Sequence, residues 1–448
     1  MTATTRIRPR ERDALLQSLR AGVVPRAGQH HVQVGRVAEV RAMLADVERV
    51  ADGGSAVRFV IGDFGAGKTF FLHLVRSIAM EKRLVTAHAD LNPDRRLHAT
   101  GGQARGLYAE LMRNLSTRSK PDGGALASVV ERFVSTALSE AEQTGTSPEQ
   151  VIRARLAHLS ELTGGYDFAE VVGAYWRGHD SGDEHLKAAA VRWLRGEFST
   201  RTDARAALGV RTIVDDGTMY DHLKLMSRFV RLAGFDGLLI CTDEMVNLYK
   251  LGSTRARNSN YEQILRILND TLQGNSAHLG FLFGGTPEFL SDSRRGLFSY
   301  PALQSRLAEN SFVTEGLVDL SGPVLRLQPL TQEDFYVLLT KLRHVYASGD
   351  ESAHLVPDEA ILAFMRHCSE KVGDAYFRTP RTTIKTFCDL LAVLEQNSQA
   401  DWKELVGTVT LAPEHNPDLE PLDETADEKE SSGPAAGDDD DGLSTFRL

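Results

Sequence analysis

Ala56-Val-Arg-Phe-Val-Ile61, Gly62-Asp-Phe-Gly-Ala-Gly-Lys68-Thr69 and Phe70-Phe-Leu-His-Leu-Val-Arg-Ser-Ile-Ala-Met80 are three consecutive segments of different character. The first is a short apolar run broken by one Arg and predicts a buried strand. The second satisfies G-x-x-x-x-G-K-[ST], and the third has the apolar spacing of a helix. Strand, Gly-rich turn and helix are the context in which this motif binds phosphate. The glycines let successive backbone N–H groups turn inward onto phosphate oxygens, and the helix N-terminus adds partial positive charge. Gly62, Asp63, Phe64, Gly65, Ala66, Gly67, Lys68, Thr69 and Phe70 are therefore expected to cradle ATP. Lys68 is expected to reach the β- and γ-phosphates, and the Thr69 hydroxyl to coordinate Mg2+.

Outward from this motif, further strand signals occur at Leu84–Ala89, Gly237–Thr242, His278–Phe283 and Val324–Leu327, with helical patterns between them. Five strands alternating with helices predict an α/β fold with a parallel sheet covered on both faces. Residues 1–50 read as a helical lead-in, interrupted at Gly28–Gly35. Residues 51–104 and 234–330 form the predicted core. Residues 105–233 carry helical patterns with almost no strand signal and predict an all-helical insertion. Residues 331–400 predict a small helical lid beside the sheet, and 413–448 a disordered acidic tail.

Leu238-Leu-Ile-Cys-Thr-Asp243-Glu244 is an apolar strand ending in two carboxylates, which would emerge at the carboxyl edge of the sheet where the Gly-rich turn opens. Asp243 is expected to hold Mg2+ through water, and Glu244 to act as general base toward the attacking water. The strand at His278–Phe283 runs into Gly284-Gly285-Thr286-Pro287. Thr286 there either orients the water or γ-phosphate, or caps the following segment. Arg306, before the last strand, and Arg381, opening a lid helix, are candidates to reach phosphate, since a guanidinium keeps its charge and donates several fixed hydrogen bonds.

The chain has 51 Lys and Arg against 61 Asp and Glu, a net charge of −10. Between Glu414 and Asp441 lie 12 of the acidic residues and one Lys; setting aside Arg447 as well, Met1–Pro413 carries 49 of each sign. The body is neutral, so global charge does not argue for nucleic acid. Cys241, Cys368 and Cys388 are far apart and lack metal-ligand spacing, which predicts buried reduced thiols. Without a signal peptide or a membrane-length apolar run, the chain is expected in the cytoplasm and off the membrane. Leu443, Phe446 and Leu448, behind an acidic run, either dock in a partner's pocket or merely end a solvating tail.

The order of these motifs resembles the AAA+ superfamily in its initiator and STAND-like branch, over residues 30–400. That resemblance implies a sensor-1 role for Thr286, a trans-acting arginine finger at Arg306 in a homo-oligomer, and a sensor-2 role for Arg381. Val34-Gly35-Arg36 is similar to the box on the adenine side of those ATPases, which implies base binding by Gly35 and Arg36. Initiators append a DNA-binding winged helix after the lid, whereas only residues 397–412 separate the last predicted helix from the acidic tail here. LRAGVVPRAGQHHVQVGR, VRFVIGDFGAGKTF, ADLNPDRRLHATGGQARGLYAEL and LLICTDEM are more closely similar to the short ATP-binding proteins D of bacteriophage exclusion (BREX) systems. This second resemblance implies an ATPase of phage defence that assembles with DNA or a helicase-like partner. A STAND-type signalling switch without DNA contact, or a helicase loader using the insertion, are the competing expectations.

Overall fold

The computed structural model describes residues 6–26, 28–310, 312, 319–372, 380–397 and 399–408. Thr379 and the tail from 413 onward lie outside them. The chain begins with α1 (Pro9–Arg20) and α2 (Val37–Ala51), then β1 (Ser55–Ile61), α3 (Lys68–Glu81) and β2 (Val85–Asp90). Seven α-helices follow: α4 (Gln103–Arg113), α5 (Leu126–Thr144), α6 (Pro148–Leu156), α7 (Gly165–Ser181), α8 (Glu184–Leu194), α9 (Arg201–Leu208) and α10 (Met219–Leu232). Then come β3 (Leu238–Asp243), α11 (Val246–Tyr249), α12 (Thr254–Leu272), β4 (Leu279–Gly285), α13 (Pro287–Ser291), α14 (Pro301–Leu307) and β5 (Val324–Arg326). The last elements are α15 (Gln332–Tyr346), α16 (Asp358–Val372), α17 (Pro380–Gln396) and α18 (Trp402–Thr408).

All five strands pair in parallel, in the order β2-β3-β4-β1-β5. Side chains alternate between the faces of a strand, and each face has its own core. Val57, Phe59 and Ile61 of β1, with Phe281 and Phe283 of β4, pack under α4–α10 and α12. Ala56 and Val60 of β1, with Leu239, Cys241 and Leu282, pack under α2 and α3. The helices between β2 and β3 therefore share one continuous core with the sheet. Ser147, Asp183 and Thr200 accept backbone N–H bonds at the N-termini of α6, α8 and α9, where the first turn lacks partners.

A second body of apolar side chains joins α15–α18 to α1, through Leu15, Leu16 and Leu19 packed with Leu338, Leu342, Phe364 and Phe387. The two helices of the lead-in thus serve different cores: α1 packs on the C-terminal helices and α2 on the sheet. The break between them is longer than the expected Gly28–Gly35. It runs from Ala21 to Arg36 and, among the described residues, holds only a 3-10 turn, Gln29–His31. Gly22, at φ 70°, ends α1 in the left-handed region, and Pro25 has no N–H to continue a helix. All three cysteines are buried and unbridged. Among the described residues no helix is long and apolar enough to cross a membrane.

Two polar features interrupt the α3 side of the sheet. Arg58, inside β1 and 4% exposed, pairs with the equally buried Asp46 of α2 and donates to the Gly322 carbonyl. Asp46→Ala would leave that guanidinium buried without its counter-ion, and is expected to cost about 3–5 kcal/mol in chemical denaturation. An unchanged midpoint would mean that water reaches Arg58. On β2, His88 faces His73 of α3, with ring centroids 5.9 Å apart. Burial first, then the Arg76 charge, lowers the His88 pKa to about 3 and that of His73 to about 4. Their neutral forms suit the fold, so their contribution is complete above the unfolded value near 6.5 and is lost as pH falls toward 4. The pH dependence of unfolding between 6.5 and 4 is expected to be shallower for His88→Asn.

Candidate nucleotide site

The turn after β1 has the shape the sequence predicts. Gly65 and Gly67 sit at φ 73° and 85°, a region that costs glycine no steric strain, and α3 starts at Lys68. The Lys68 ammonium donates to the carbonyls of Gly62 and Asp63 at 2.9 and 3.0 Å, so it lies folded across its own loop. The loop is tied to the sheet by the Gly62 N–H, which donates to the Gly285 carbonyl at the end of β4.

Parallel register brings the acids to the same edge. Asp90 of β2 is the register partner of Asp243 of β3, and Thr242 pairs with Phe283 of β4, which puts Gly284 beside Asp243. The Thr69 hydroxyl donates to Asp243 Oδ2 at 2.7 Å, joining the first turn of α3 to the tip of β3. The other oxygen, Oδ1, accepts from the Glu244 N–H at 2.9 Å. A Cβ on Gly284 would fall 2.3 Å from Asp243 Oδ1, so the bare glycine is what lets this carboxylate occupy its position. Glu244 is exposed and adopts φ 58°, an uncommon conformation for a residue with a side chain.

Asp243 and Glu244 line one cleft with Phe64–Phe70, Gly284, Gly285, Thr286 and Arg381. Its remaining wall is apolar: Val23, Val24, Pro25, Val32 and Val34 from the segment between α1 and α2, opposite Leu330, Leu338 and Ile384. An apolar wall beside a polar loop and two acids is what a flat base attached to a polyphosphate requires. Apart from Val34, which belongs to the box that resembles the adenine side, these apolar residues have no role assigned from sequence, because a valine next to a proline carries no chemical signature. Asp90 was likewise missed. Desolvation first, then the Asp243 charge, pushes its carboxyl above the usual range. Only strand register brings it beside Asp243.

The remaining predicted residues fall in three groups. Thr286 is buried at the cleft and also caps α13, accepting from the Phe289 N–H at 3.4 Å, so its own proton is left to donate. Both readings made from sequence remain compatible with that position. Arg36 reaches the Gly-rich loop itself, where its guanidinium donates to the Ala66 carbonyl, while its buried Nε has no hydrogen-bond partner. Burial lowers its pKa, opposed by Glu39 and Asp334. Gly35 lies behind the cleft wall, where a Cβ would meet Asp334 of α15 at 2.9 Å. Gly62 is buried beneath the loop, and Asp63 is exposed beside it. Arg306 is not brought to the cleft within one chain. It is exposed on α14, where it donates to Asn269 Oδ1 and the Ala302 carbonyl, both at 2.8 Å.

The hard oxygens of Thr69 and Asp243 fit a divalent cation of the magnesium type, and the unpaired Arg36 Nε fits an anionic ligand. Gly284→Ala should displace the Asp243 carboxylate while leaving the sheet intact. Losing a charged hydrogen bond of about 1.5–3 kcal/mol corresponds to weakening on the order of tenfold or more. Titration with a fluorescent magnesium nucleotide checks this, and unchanged affinity would mean that Asp243 does not contribute.

No curated protein matches the chain significantly. The family model for the BREX system ATP-binding protein BrxC/D, however, matches residues 7–410, a span that includes every strand, all three cores and the whole cleft. The chain therefore belongs to the BrxC/D family, as an ATP-binding protein of the BREX defence system.

Proposed function

We propose that the protein is an AAA+-type ATPase that hydrolyses ATP in this cleft, with residues 331–400 acting as its lid. The observation that carries the reading is the 2.7 Å hydrogen bond between Thr69 and Asp243, which unites the phosphate loop and the acidic strand end around one point. Backbone N–H groups of the loop bind the phosphates, and Lys68 leaves the Gly62 and Asp63 carbonyls for the β- and γ-phosphate oxygens. Thr69 and Asp243 would hold Mg2+, which would supply positive charge to neutralise the phosphates. Glu244 orients water and takes its proton as the new bond to the γ-phosphorus forms and the bond to ADP breaks. Its backbone link to Asp243 Oδ1 supports a position that depends on the metal-binding carboxylate. Thr286 donates its remaining hydroxyl proton toward the water or γ-phosphate, and Arg381 approaches phosphate from the C-terminal side. Arg36 neutralises charge behind the loop, and the valine wall takes the adenine.

The exposed place of Arg306 on α14 supports action on a neighbouring copy, hence a homo-oligomer whose assembly follows nucleotide state, with DNA or a helicase-like component of the same system as partner. The alternative of a DNA-independent switch also has an observation in its favour. The cleft walls come from α1 and the C-terminal helices as well as from the sheet, so nucleotide would bridge the two cores. Native mass and ATPase rate, with and without single- and double-stranded DNA, separate these readings.

Lys68→Ala is expected to abolish nucleotide binding. Glu244→Gln should retain ATP and lose about 10²–10⁴ in turnover, the usual contribution of a positioned general base. Hydrolysis at the parental rate in the Gln variant would remove Glu244 from this role.

A further inference from the structure

Away from the phosphate loop, Glu11 of α1 and the neighbours His30 and His31 of the 3-10 turn each present one ligand atom, and the three atoms lie within 4.8 Å of one another. We propose that Glu11, His30 and His31 form a binding site for a divalent cation of the zinc type, which clasps α1 to the turn leading into the cleft wall. Two imidazoles and one carboxylate are a donor set that zinc accepts, with a fourth position left to water.

The local architecture is arranged for this approach. His31 Nε2 stands 3.4 Å from Glu11 Oε1, about the separation of two donors on one tetrahedral ion with bonds of roughly 2.0–2.2 Å. The rings of His30 and His31 have centroids 3.9 Å apart, and His30 is exposed, so rotation of its side chain closes the remaining gap. Gly28 precedes the turn at φ 75°, and a Cβ there would press on Glu11 Cγ at 3.4 Å. The buried Gln29 amide donates to the Pro25 carbonyl at 2.8 Å and holds the turn in place.

The site would act on the cleft from outside it. Val32 and Val34, just beyond the turn, line the cleft, while Glu11 belongs to the helix whose leucines enter the C-terminal core. A bound ion would therefore fix the cleft wall against that core.

The test is zinc titration of the full-length, chelator-treated protein against a chromophoric competitor, with excess Mg2+ and ATP present. Cobalt(II) absorption reports the coordination. One equivalent of zinc is expected for the parental protein. Glu11→Gln and His31→Ala should each weaken it by about tenfold or more, and the remote, exposed His185→Ala should leave it unchanged. Circular dichroism melting verifies that the variants fold, and Glu11→Gln keeps nearly the parental shape if His31→Ala does not. Absence of a stoichiometric site, or equal affinity in parental protein and Glu11→Gln, would overturn the proposal.

Discussion

A single hydroxyl-to-carboxylate contact, Thr69 to Asp243, joins chain positions 174 residues apart, and much of the architecture can be understood as what makes it possible. Thr69 is carried by the helix that leaves β1, Asp243 by the tip of β3, and the two strands are separated by β4. Because all three run in the same direction, their carboxyl ends share an edge. Beside the acid, β4 has Gly284, whose lack of a side chain leaves room for the carboxylate. The contact thus depends on direction, register and one absent methyl group together.

The sheet edge makes only half of the cleft. Its apolar side comes from the segment after α1 and from the C-terminal helices, which belong to a core distinct from the two on the sheet. Such an arrangement places a ligand where two packed bodies meet. Packed cores resist gradual deformation, so relative movement of the bodies would be felt by whatever spans them. Arg36 extends the link: its backbone starts α2 on the sheet side, and its guanidinium touches the Gly-rich loop.

The seven helices between β2 and β3 form one core with the sheet and no separate globule. Phe133, Phe168, Phe229 and Trp193 lie in the same buried cluster as Phe59 and Phe283 of the strands. The helical region is therefore part of what holds β2 and β3 in register, and so of what keeps Asp90 beside Asp243. A surface available to a partner would have to lie on the outward faces of these helices.

The Gly-rich turn after β1, the five strands and the paired acids at Asp243 and Glu244 were legible in the linear sequence because each is a local pattern: a run of apolar residues, a glycine spacing, a carboxylate at a strand end. Their boundaries shifted by only a residue or two. The apolar wall around Val23 and Val32, the neighbourhood of Asp90, the attachment of Arg36 to Ala66 and the division of the first two helices between different cores were not legible. Those features depend on which distant segments meet, and hydrophobic contact is non-directional, so an apolar residue does not encode its partner. The sequence by itself determined which residues stand at the strand ends. Only tertiary structure decided what surrounds them, because strand register and the closure of two cores on one cleft arise from the whole chain folding at once.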